Sequence, residues 1–181
     1  MTSLAALGEA PAGVSQTGDH VPHVIAWNLT RRCNLKCAHC YISAGPSESA
    51  DDELSTEECL RIADEILALN PNPMFILSGG EPLLREDLSE IASHAAKHGA
   101  TVVVGTNGTL LTSEKIAELQ DAGVTGVAVS VESLDVKYHD RFRHGHGSLH
   151  ATLAAVDRLV VHGLDFVVQT TLTRGNRSEL P

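Results

Sequence analysis

Short apolar runs alternate along this chain with segments of helical periodicity. The runs are rich in β-branched residues and too continuous for half-exposed strands, a pattern typical of a parallel sheet covered by helices. In order, they span residues 24–29, 74–78, 101–106, 126–131 and 164–172. We therefore predict five strands of a buried parallel sheet.

Four helices are predicted between these strands. The first, over residues 55–69, opens with Ser55 and Glu58 at the spacing of a capping box. The other three each end at a glycine, a common helix stop. They span residues 85–99, 112–123 and 147–163. Alternating strands and helices with right-handed crossovers place the chain in the α/β class, as a barrel or a doubly wound sheet.

The unusual short motifs of the chain all lie at strand ends. A cysteine-rich loop follows the first strand, SGGEP follows the second, TNGT follows the third, and SVES ends the fourth. Because the carboxyl ends of parallel strands meet at one edge, where α/β proteins bind ligands, we expect these motifs at one rim. The sequence predicts a single site there.

The cysteine loop reads CNLKCAHC and places Cys33, Cys37 and Cys40 within eight residues. Thiolates suit zinc, copper(I) and iron–sulfur clusters. Structural zinc usually takes four ligands as two separated pairs, which this loop lacks, and Cys59 lies among apolar residues of a helix, where we interpret it as packing. A [4Fe–4S] cluster with three cysteines leaves one iron open to another ligand. A zinc-binding interaction module is the remote alternative.

Composition and charge narrow the possible partners. The net charge of −10 and the absence of one long basic stretch argue against nucleic acid. No apolar run approaches the roughly 20 residues that cross a membrane, and the N-terminus lacks the features of a secretory signal. We expect a cytoplasmic protein, in which clustered reduced thiols favour metal over disulfides.

The 181 residues fit one domain or part of a larger protein. Residues 1–21 contain many Ala, Gly and Ser residues, and we interpret them as a flexible leader. Residues 22–181 are interpreted as the core domain, which carries all the strands, helices and motifs described above.

The pattern C-x-x-x-C-x-x-C, followed by GGEP on the next loop, resembles the radical S-adenosylmethionine (radical SAM) superfamily over nearly all of residues 22–180. The resemblance implies an enzyme with a partial (β/α) barrel, of whose six strands five are visible. It implies that the three cysteines hold a [4Fe–4S] cluster and that SAM binds the open iron. Reductive cleavage of SAM then gives a 5′-deoxyadenosyl radical that abstracts hydrogen from a small-molecule or peptide substrate, with a flavodoxin- or ferredoxin-type reductant as partner.

The resemblance also implies SAM contacts. The backbone at Gly79 and Gly80 would approach the methionine end of SAM, and Glu81 would accept a hydrogen bond from its ammonium group. Arg143 would bind the carboxylate of SAM, with Arg141 as the alternative. Asn107 is a ligand or only a turn residue. Ser130 and Glu132 alternate on strand 4 and so face the same side. The complete set of implied cofactor-binding residues is Tyr41, Gly79, Gly80, Glu81, Asn107, Ser130, Glu132 and Arg143.

The stretch WNLTRRCNLKCAHCY resembles the SPASM or twitch branch of the family, whose members act in haem biosynthesis and in peptide or cofactor maturation. No cysteine follows Cys59, so cysteines for an auxiliary cluster are absent from this sequence. No helical pattern follows strand 5, so we expect that strand to expose an apolar edge. A truncated, non-catalytic protein that binds the cluster and SAM is therefore the alternative to an active enzyme.

Overall fold

The computed structural model describes residues 21–179, so the expected leader lies almost entirely outside the described residues. Five parallel strands form one sheet in the order β1-β2-β3-β4-β5, which confirms the α/β class and the parallel arrangement. The strands are β1 (Val24–Thr30), β2 (Met74–Gly79), β3 (Thr101–Thr106), β4 (Val124–Ser130) and β5 (Asp165–Gln169).

Within residues 21–179, five α-helices and two short 3₁₀ turns connect and follow the strands. The helices are α1 (Thr56–Leu69), α2 (Leu88–Lys97), α3 (Ser113–Asp121), α4 (Val136–Arg143) and α5 (Ser148–His162), and the 3₁₀ turns are Pro82–Leu84 and Arg177–Glu179. The capping box of α1 is present: the Ser55 hydroxyl accepts from the Glu58 amide, and the Glu58 carboxylate accepts from the Ser55 amide. No helix within residues 21–179 combines the length and the apolar character of a membrane span.

Helix α4 was not predicted from the sequence. Its buried residues are His139 and Arg143, so its inward face is polar and gives no apolar periodicity. Asp135 caps the helix by accepting a hydrogen bond from the Tyr138 amide at 2.9 Å. This helix packs beside the cysteine loop, and its polar inner face therefore belongs to the site rather than to the core.

The core lies on one face of the sheet, beneath the helices. Alternate strand residues on this face have no exposed surface, including Phe75 and Leu77 of β2, Val102 of β3 and Val127 of β4. On the opposite face, Val24 is 61% exposed and Val167 is 58% exposed. Within residues 21–179 the second face of the sheet is thus more open than the first, as expected of a partial barrel and not of a doubly wound sheet.

Strand β5 is shorter than predicted and has one described neighbour, β4. After Gln169 the backbone turns across the end of β4, where the Thr171 amide donates to a Glu132 carboxylate oxygen at 2.7 Å. Val168 and Leu172 are 52% and 60% exposed. Within residues 21–179, β5 therefore presents the apolar edge that the sequence predicts.

A polar network fixes the end of β1, from which the cysteine loop departs. Arg32 donates two hydrogen bonds to the Glu53 carboxylate, at 2.8 and 3.0 Å, and the Thr30 hydroxyl donates to the same group. Arg85 is 5% exposed, and its Nη1 lies 3.6 Å from Glu53 Oε2. The same nitrogen donates a hydrogen bond to the Leu29 carbonyl at 3.1 Å. The network ties the end of β1 to the loop before α1 and to the loop after β2.

Burial alone would raise the pKa of Glu53, but hydrogen bonds from Arg32 and Thr30 outweigh it, so the pKa lies below its usual range. Glu53→Gln should lower the free energy of unfolding at pH 7 by about 1–3 kcal/mol, since it leaves Arg32 without its counterion. Because the native pKa is depressed, this loss is present above the ordinary pKa of a glutamate and disappears as the pH falls through the native value.

Urea unfolding of the purified chain at several pH values measures this difference. Glu48→Gln is the matched control, because its partner Arg31 is 60% exposed and the pair should contribute little. Equal stability of the Glu53→Gln and Glu48→Gln variants at pH 7 would contradict a structural role for the network.

Candidate functional site

A cavity of about 330 Å³ opens at the carboxyl ends of the strands. Ten of the eleven residues that the sequence assigned to the site line this cavity, and Glu81 is the exception. The ten are Cys33, Cys37, Cys40, Tyr41, Gly79, Gly80, Asn107, Ser130, Glu132 and Arg143. Parallel strands bring residues that are up to 110 positions apart in the sequence (143 − 33) to one rim.

The cysteine loop is closed at its base and tied to α4. The Cys33 amide donates to the Gly45 carbonyl, and the Gly45 amide donates to the Arg31 carbonyl, both at 3.2 Å. At the far side of the loop, the Ala38 amide donates to the Phe142 carbonyl at 2.9 Å. Backbone contacts at both ends therefore fix the path of the loop independently of any metal.

Each cysteine sulfur accepts a hydrogen bond from the protein. The Leu35 amide donates to Cys33 Sγ at 3.4 Å, and the Ala44 amide donates to Cys40 Sγ at 3.2 Å. Cys37 Sγ lies 3.8 Å from Arg143 Nη1. Donors of this kind stabilise thiolates and tune the potential of iron–sulfur clusters. The donor set fits a cluster with three cysteine ligands.

Burial raises the pKa of the Cys33 and Cys37 thiols. The Leu35 amide opposes this effect at Cys33, and the Arg143 guanidinium opposes it at Cys37. Metal ligation requires the thiolate, so loading this loop should release protons. In the described part of the chain, no three His, Cys, Asp or Glu side chains are gathered around one point as a single metal ion requires.

Gly79 and Gly80 allow the loop after β2 to contact the end of β1. A Cβ atom on Gly79 would lie 2.4 Å from the Thr30 carbonyl oxygen, and one on Gly80 would lie 2.3 Å from the Arg32 carbonyl oxygen. Gly79 also has φ of +133°, which L-residues rarely adopt. Both residues line the cavity, and backbone packing alone already requires that they lack side chains.

The side chain of Glu81 has a different role from the one expected. It is fully buried and accepts hydrogen bonds from the Leu83 amide at 3.1 Å, the Thr106 hydroxyl at 2.8 Å and the Asn107 amide at 2.9 Å. Burial raises its pKa, and these donors oppose that effect. We therefore correct the expected contact between this carboxylate and a ligand ammonium group: Glu81 joins the loop after β2 to the end of β3.

Asn107 both shapes a turn and contacts the cysteine loop. Its side-chain oxygen Oδ1 accepts a hydrogen bond from the Thr109 amide at 2.9 Å, which stabilises the turn. Its amide nitrogen donates to Asn34 Oδ1 at 2.9 Å and lies 3.8 Å from Cys33 Sγ. Asn107 is therefore a turn residue that also contacts the cysteine loop, and its role as a ligand stays a prediction.

Ser130 and Glu132 both face the cavity, as their alternation on β4 predicts. Glu132 is 2% exposed and accepts a hydrogen bond from Arg143 Nη2 at 2.5 Å. Arg143 Nε is buried and has no hydrogen-bond partner among residues 21–179. A cavity-lining guanidinium with an unsatisfied donor fits an acceptor such as a ligand carboxylate. Arg141, the alternative candidate for this contact, is exposed, lies over the Tyr138 ring and is not part of the cavity lining.

Two aromatic side chains stand at the mouth of the cavity. Tyr41 is 83% exposed, and its hydroxyl donates to Asn28 Oδ1 at 3.0 Å across the rim. The His39 ring stacks on Phe142 at 4.7 Å. Burial lowers the pKa of His39, which favours the neutral imidazole. The cysteine loop thus presents an aromatic surface next to its thiols.

The sequence did not single out the end of β5, which also contributes to the cavity. Gln169, Thr170 and Thr171 line it beside the end of β4. The rule that pointed to the other strand ends applies equally to these polar residues, which follow an apolar run. Applying this rule to every strand end, whether or not the end carries a known motif, would have identified these three residues.

The Radical SAM superfamily profile matches residues 27–179. The chain is 40% identical over 161 residues to an AdoMet-dependent heme synthase of Methanosarcina barkeri, a match that covers 89% of this chain and 46% of that protein. It is 32% identical over 166 residues to the mycofactocin maturase MftC of Mycolicibacterium smegmatis, covering 91% of this chain and 41% of the relative. The chain thus spans less than half the length of these relatives.

The fold is also found in a solved structure. Native anSMEcpe with bound AdoMet superposes with a TM-score of 0.66 at 20% identity, over 81% of this chain and 42% of that one. At this identity the likeness shows the fold alone. The profile match and the identity to relatives, together with the cysteine loop at the strand ends, show that the chain belongs to the radical SAM superfamily, whose members bind a [4Fe–4S] cluster and S-adenosylmethionine.

Proposed function

We propose that Cys33, Cys37 and Cys40 hold a [4Fe–4S] cluster in this chain and that SAM binds its open iron within the described cavity. The observation that carries the proposal is that all three thiols line one cavity with residues from the ends of β2, β3 and β4. Its volume of about 330 Å³ is within the range of small-molecule sites. Membership of the family supports the identity of both cofactors.

When bound, the cluster and SAM would supply the chemistry, which is the reductive cleavage of SAM. The chain's own residues position the reactants. The glycine loop brings the backbone after β2 against the base of the cysteine loop, and the Arg143 guanidinium would bind the carboxylate of SAM. Ser130 would offer a hydroxyl from β4, and His39 and Tyr41 would border the adenine end.

The reaction of the whole protein is proposed only as a class. Similarity to a haem synthase and to a maturase supports a substrate from haem or cofactor biosynthesis, or a peptide. We further propose a flavodoxin- or ferredoxin-type reductant and a cytoplasmic location, because the cluster needs a low-potential electron and its thiols must stay reduced.

Anaerobic reconstitution should give a brown protein with about four irons per chain, as a cubane cluster requires. Alanine at Cys33, Cys37 or Cys40 should largely abolish iron uptake, because each replacement removes a thiolate ligand. Cys59→Ala is the matched control and should keep the cluster, since Cys59 lies on the buried face of α1, in the hydrophobic core. Iron and sulfide assays with the visible spectrum measure the result; stoichiometric zinc with no iron uptake would refute the assignment.

Binding of SAM should change the EPR spectrum of the dithionite-reduced cluster. Ser130→Ala should weaken SAM binding by about 2- to 10-fold, the loss of one hydrogen bond of roughly 0.5–1.5 kcal/mol. Ser89→Ala on α2 is the control, because Ser89 bonds to Glu118 away from the cavity. Titration of the EPR signal with SAM gives both affinities.

The same samples should form some 5′-deoxyadenosine without added substrate. An EPR spectrum that does not change at saturating SAM would show that SAM does not bind the cluster, even if iron is fully incorporated.

A further inference from the structure

A buried asparagine lies near the end of β4, outside the lining of the cavity. Asn176, in the segment that follows β5, is 2% exposed. Burial of a side-chain amide costs free energy unless the amide is hydrogen-bonded. The partners of Asn176 therefore show which parts of the chain it holds together.

Both polar atoms of the Asn176 side chain are fully engaged. Oδ1 accepts hydrogen bonds from the Thr173 amide at 2.7 Å and from the Thr173 hydroxyl at 3.0 Å. Nδ2 donates to the Glu132 carbonyl at 2.7 Å and to the Thr171 carbonyl at 3.0 Å. An asparagine side chain offers two donors and two acceptor positions, and all of them are used here.

These hydrogen bonds join the two residues whose contact fixes the Glu132 carboxylate. The Thr171 amide donates to Glu132 Oε2 at 2.7 Å, and Asn176 binds the backbone carbonyls of both residues. Arg143 Nη2 donates to the other carboxylate oxygen, Oε1, at 2.5 Å. One oxygen of Glu132 is thus held by the segment after β5, and the other orients the guanidinium.

The segment that carries Asn176 is also anchored to α4, the helix that carries Arg143. The hydroxyls of Tyr138 and Thr173 lie 2.5 Å apart. A Cβ atom on Gly175 would lie 2.4 Å from the Tyr138 ring, so this packing requires glycine. Asn176 therefore links the end of β4 to a segment that is already fixed against the helix.

The orientation of Arg143 depends on Glu132. The Arg143 side chain is 7% exposed, and its Nε has no hydrogen-bond partner among residues 21–179. Its Nη1 makes a long contact of 3.8 Å with Cys37 Sγ, whereas its contact with Glu132 is short. A displacement of the Glu132 carboxylate would therefore move the guanidinium that lines the cavity.

We infer that Asn176 is a positioning residue for SAM, which acts through Glu132 on Arg143. The inference rests on the proposed function, in which the Arg143 guanidinium binds the carboxylate of SAM. Because Asn176 lies outside the cavity lining, it contributes the geometry of the site and not a contact with the ligand. The segment after β5 is in this way part of the SAM site.

A purely structural role for Asn176 makes a different prediction. A structural asparagine contributes to the stability of the fold, and its loss affects SAM binding to the same extent whatever residues occupy positions 132 and 143. A positioning asparagine contributes to SAM affinity only while the pair of Glu132 and Arg143 is intact.

The first test is a titration of the reduced, reconstituted chain with SAM, followed by EPR. Asn176→Ala should weaken SAM binding by at least about fivefold, because it removes two hydrogen bonds from the contact that fixes Glu132. The EPR spectrum without SAM should not change, since the three cysteines are untouched. Asn176→Ser keeps one hydroxyl donor and should give a smaller loss in the same direction.

Asn70→Ala is the matched control. Asn70 is 8% exposed and follows α1 at the edge of the sheet where the strands begin. Its Nδ2 donates to the Pro22 carbonyl at 3.0 Å, and its Oδ1 accepts from the Asn72 amide at 3.0 Å. Its loss should also lower the stability measured by urea unfolding, but SAM affinity should stay within about twofold because the site is distant.

A mutant cycle separates positioning from structure. The background Glu132→Gln/Arg143→Met removes both charges of the pair, so neither is left buried and uncompensated. In this background Asn176→Ala should change SAM affinity by less than about twofold, because the residues through which it acts are gone. SAM binding stays measurable because, in the proposed function, the open iron still anchors the ligand.

Hydrogen exchange of the metal-free chain tests the first link without the cluster. Asn176→Ala should speed exchange of the Thr171 amide at least about tenfold, since the acceptor of that amide is no longer held in place. Asn70→Ala should leave the exchange of this amide within about twofold of the unmodified chain.

Unchanged SAM affinity in Asn176→Ala, with a complete cluster, would overturn the inference and leave the proposed function intact. An equal loss of affinity in the unmodified chain and in the Glu132→Gln/Arg143→Met background would do the same, because it would show a structural role alone. If Asn176→Ala does not fold, Asn176→Ser takes its place in the cycle with the same criteria. Failure of the unmodified, cluster-loaded chain to bind SAM would refute the proposed function and, with it, the inference.

Discussion

The whole site depends on the close backbone contact between the end of β1 and the loop after β2. The Gly80 amide donates to the Thr30 carbonyl at 2.7 Å, and the Glu81 amide donates to the Arg32 carbonyl at 2.9 Å. At this separation neither glycine has room for a Cβ atom. The contact sets where the cysteine loop leaves the sheet, so the thiols, the strand ends and the cavity are placed relative to one another by backbone hydrogen bonds.

Around this contact, buried polar groups replace apolar packing. Glu53, Glu81 and Glu132 each connect segments that are distant in the sequence, through Arg32, Thr106 and Arg143, respectively. Buried ionic groups of this kind contribute little net stability but are costly to disturb, because a broken pair leaves an uncompensated charge. The rim is therefore held in one geometry, which suits a site that must direct a reactive species to one substrate atom.

The sheet, its parallel order and the location of the site follow from local sequence patterns. Continuous apolar runs such as 101–106 indicate buried strands, and glycines such as Gly163 mark helix ends. Ten of the eleven assigned site residues face one cavity because alternation along strands and the strand-end rule are local and geometric. These features need no knowledge of distant contacts.

What the sequence could not predict depends on partners that are distant in the chain. Helix α4 was missed because its inner face is polar and is explained only by Glu132 and Cys37, which it contacts. Glu81 was assigned to the ligand because its buried donors, such as Thr106, lie on the next strand. Hydrophobic periodicity alone left the choice between a barrel and a doubly wound sheet open, because the apolar runs of the strands look alike in both.

Arg143 joins two parts of the same rim, because its guanidinium contacts both Cys37 of the cysteine loop and Glu132 at the end of β4.

The central claim is that three cysteines leave one iron of the cluster for SAM. Electron–nuclear double resonance on the reduced, reconstituted chain with SAM labelled by ¹⁷O in its carboxylate and ¹⁵N in its amino group tests it most directly. The account predicts hyperfine coupling from both labels, because both groups bind the iron that lacks a cysteine. Absence of coupling from either label at saturating SAM, in a sample with a complete cluster, would contradict it.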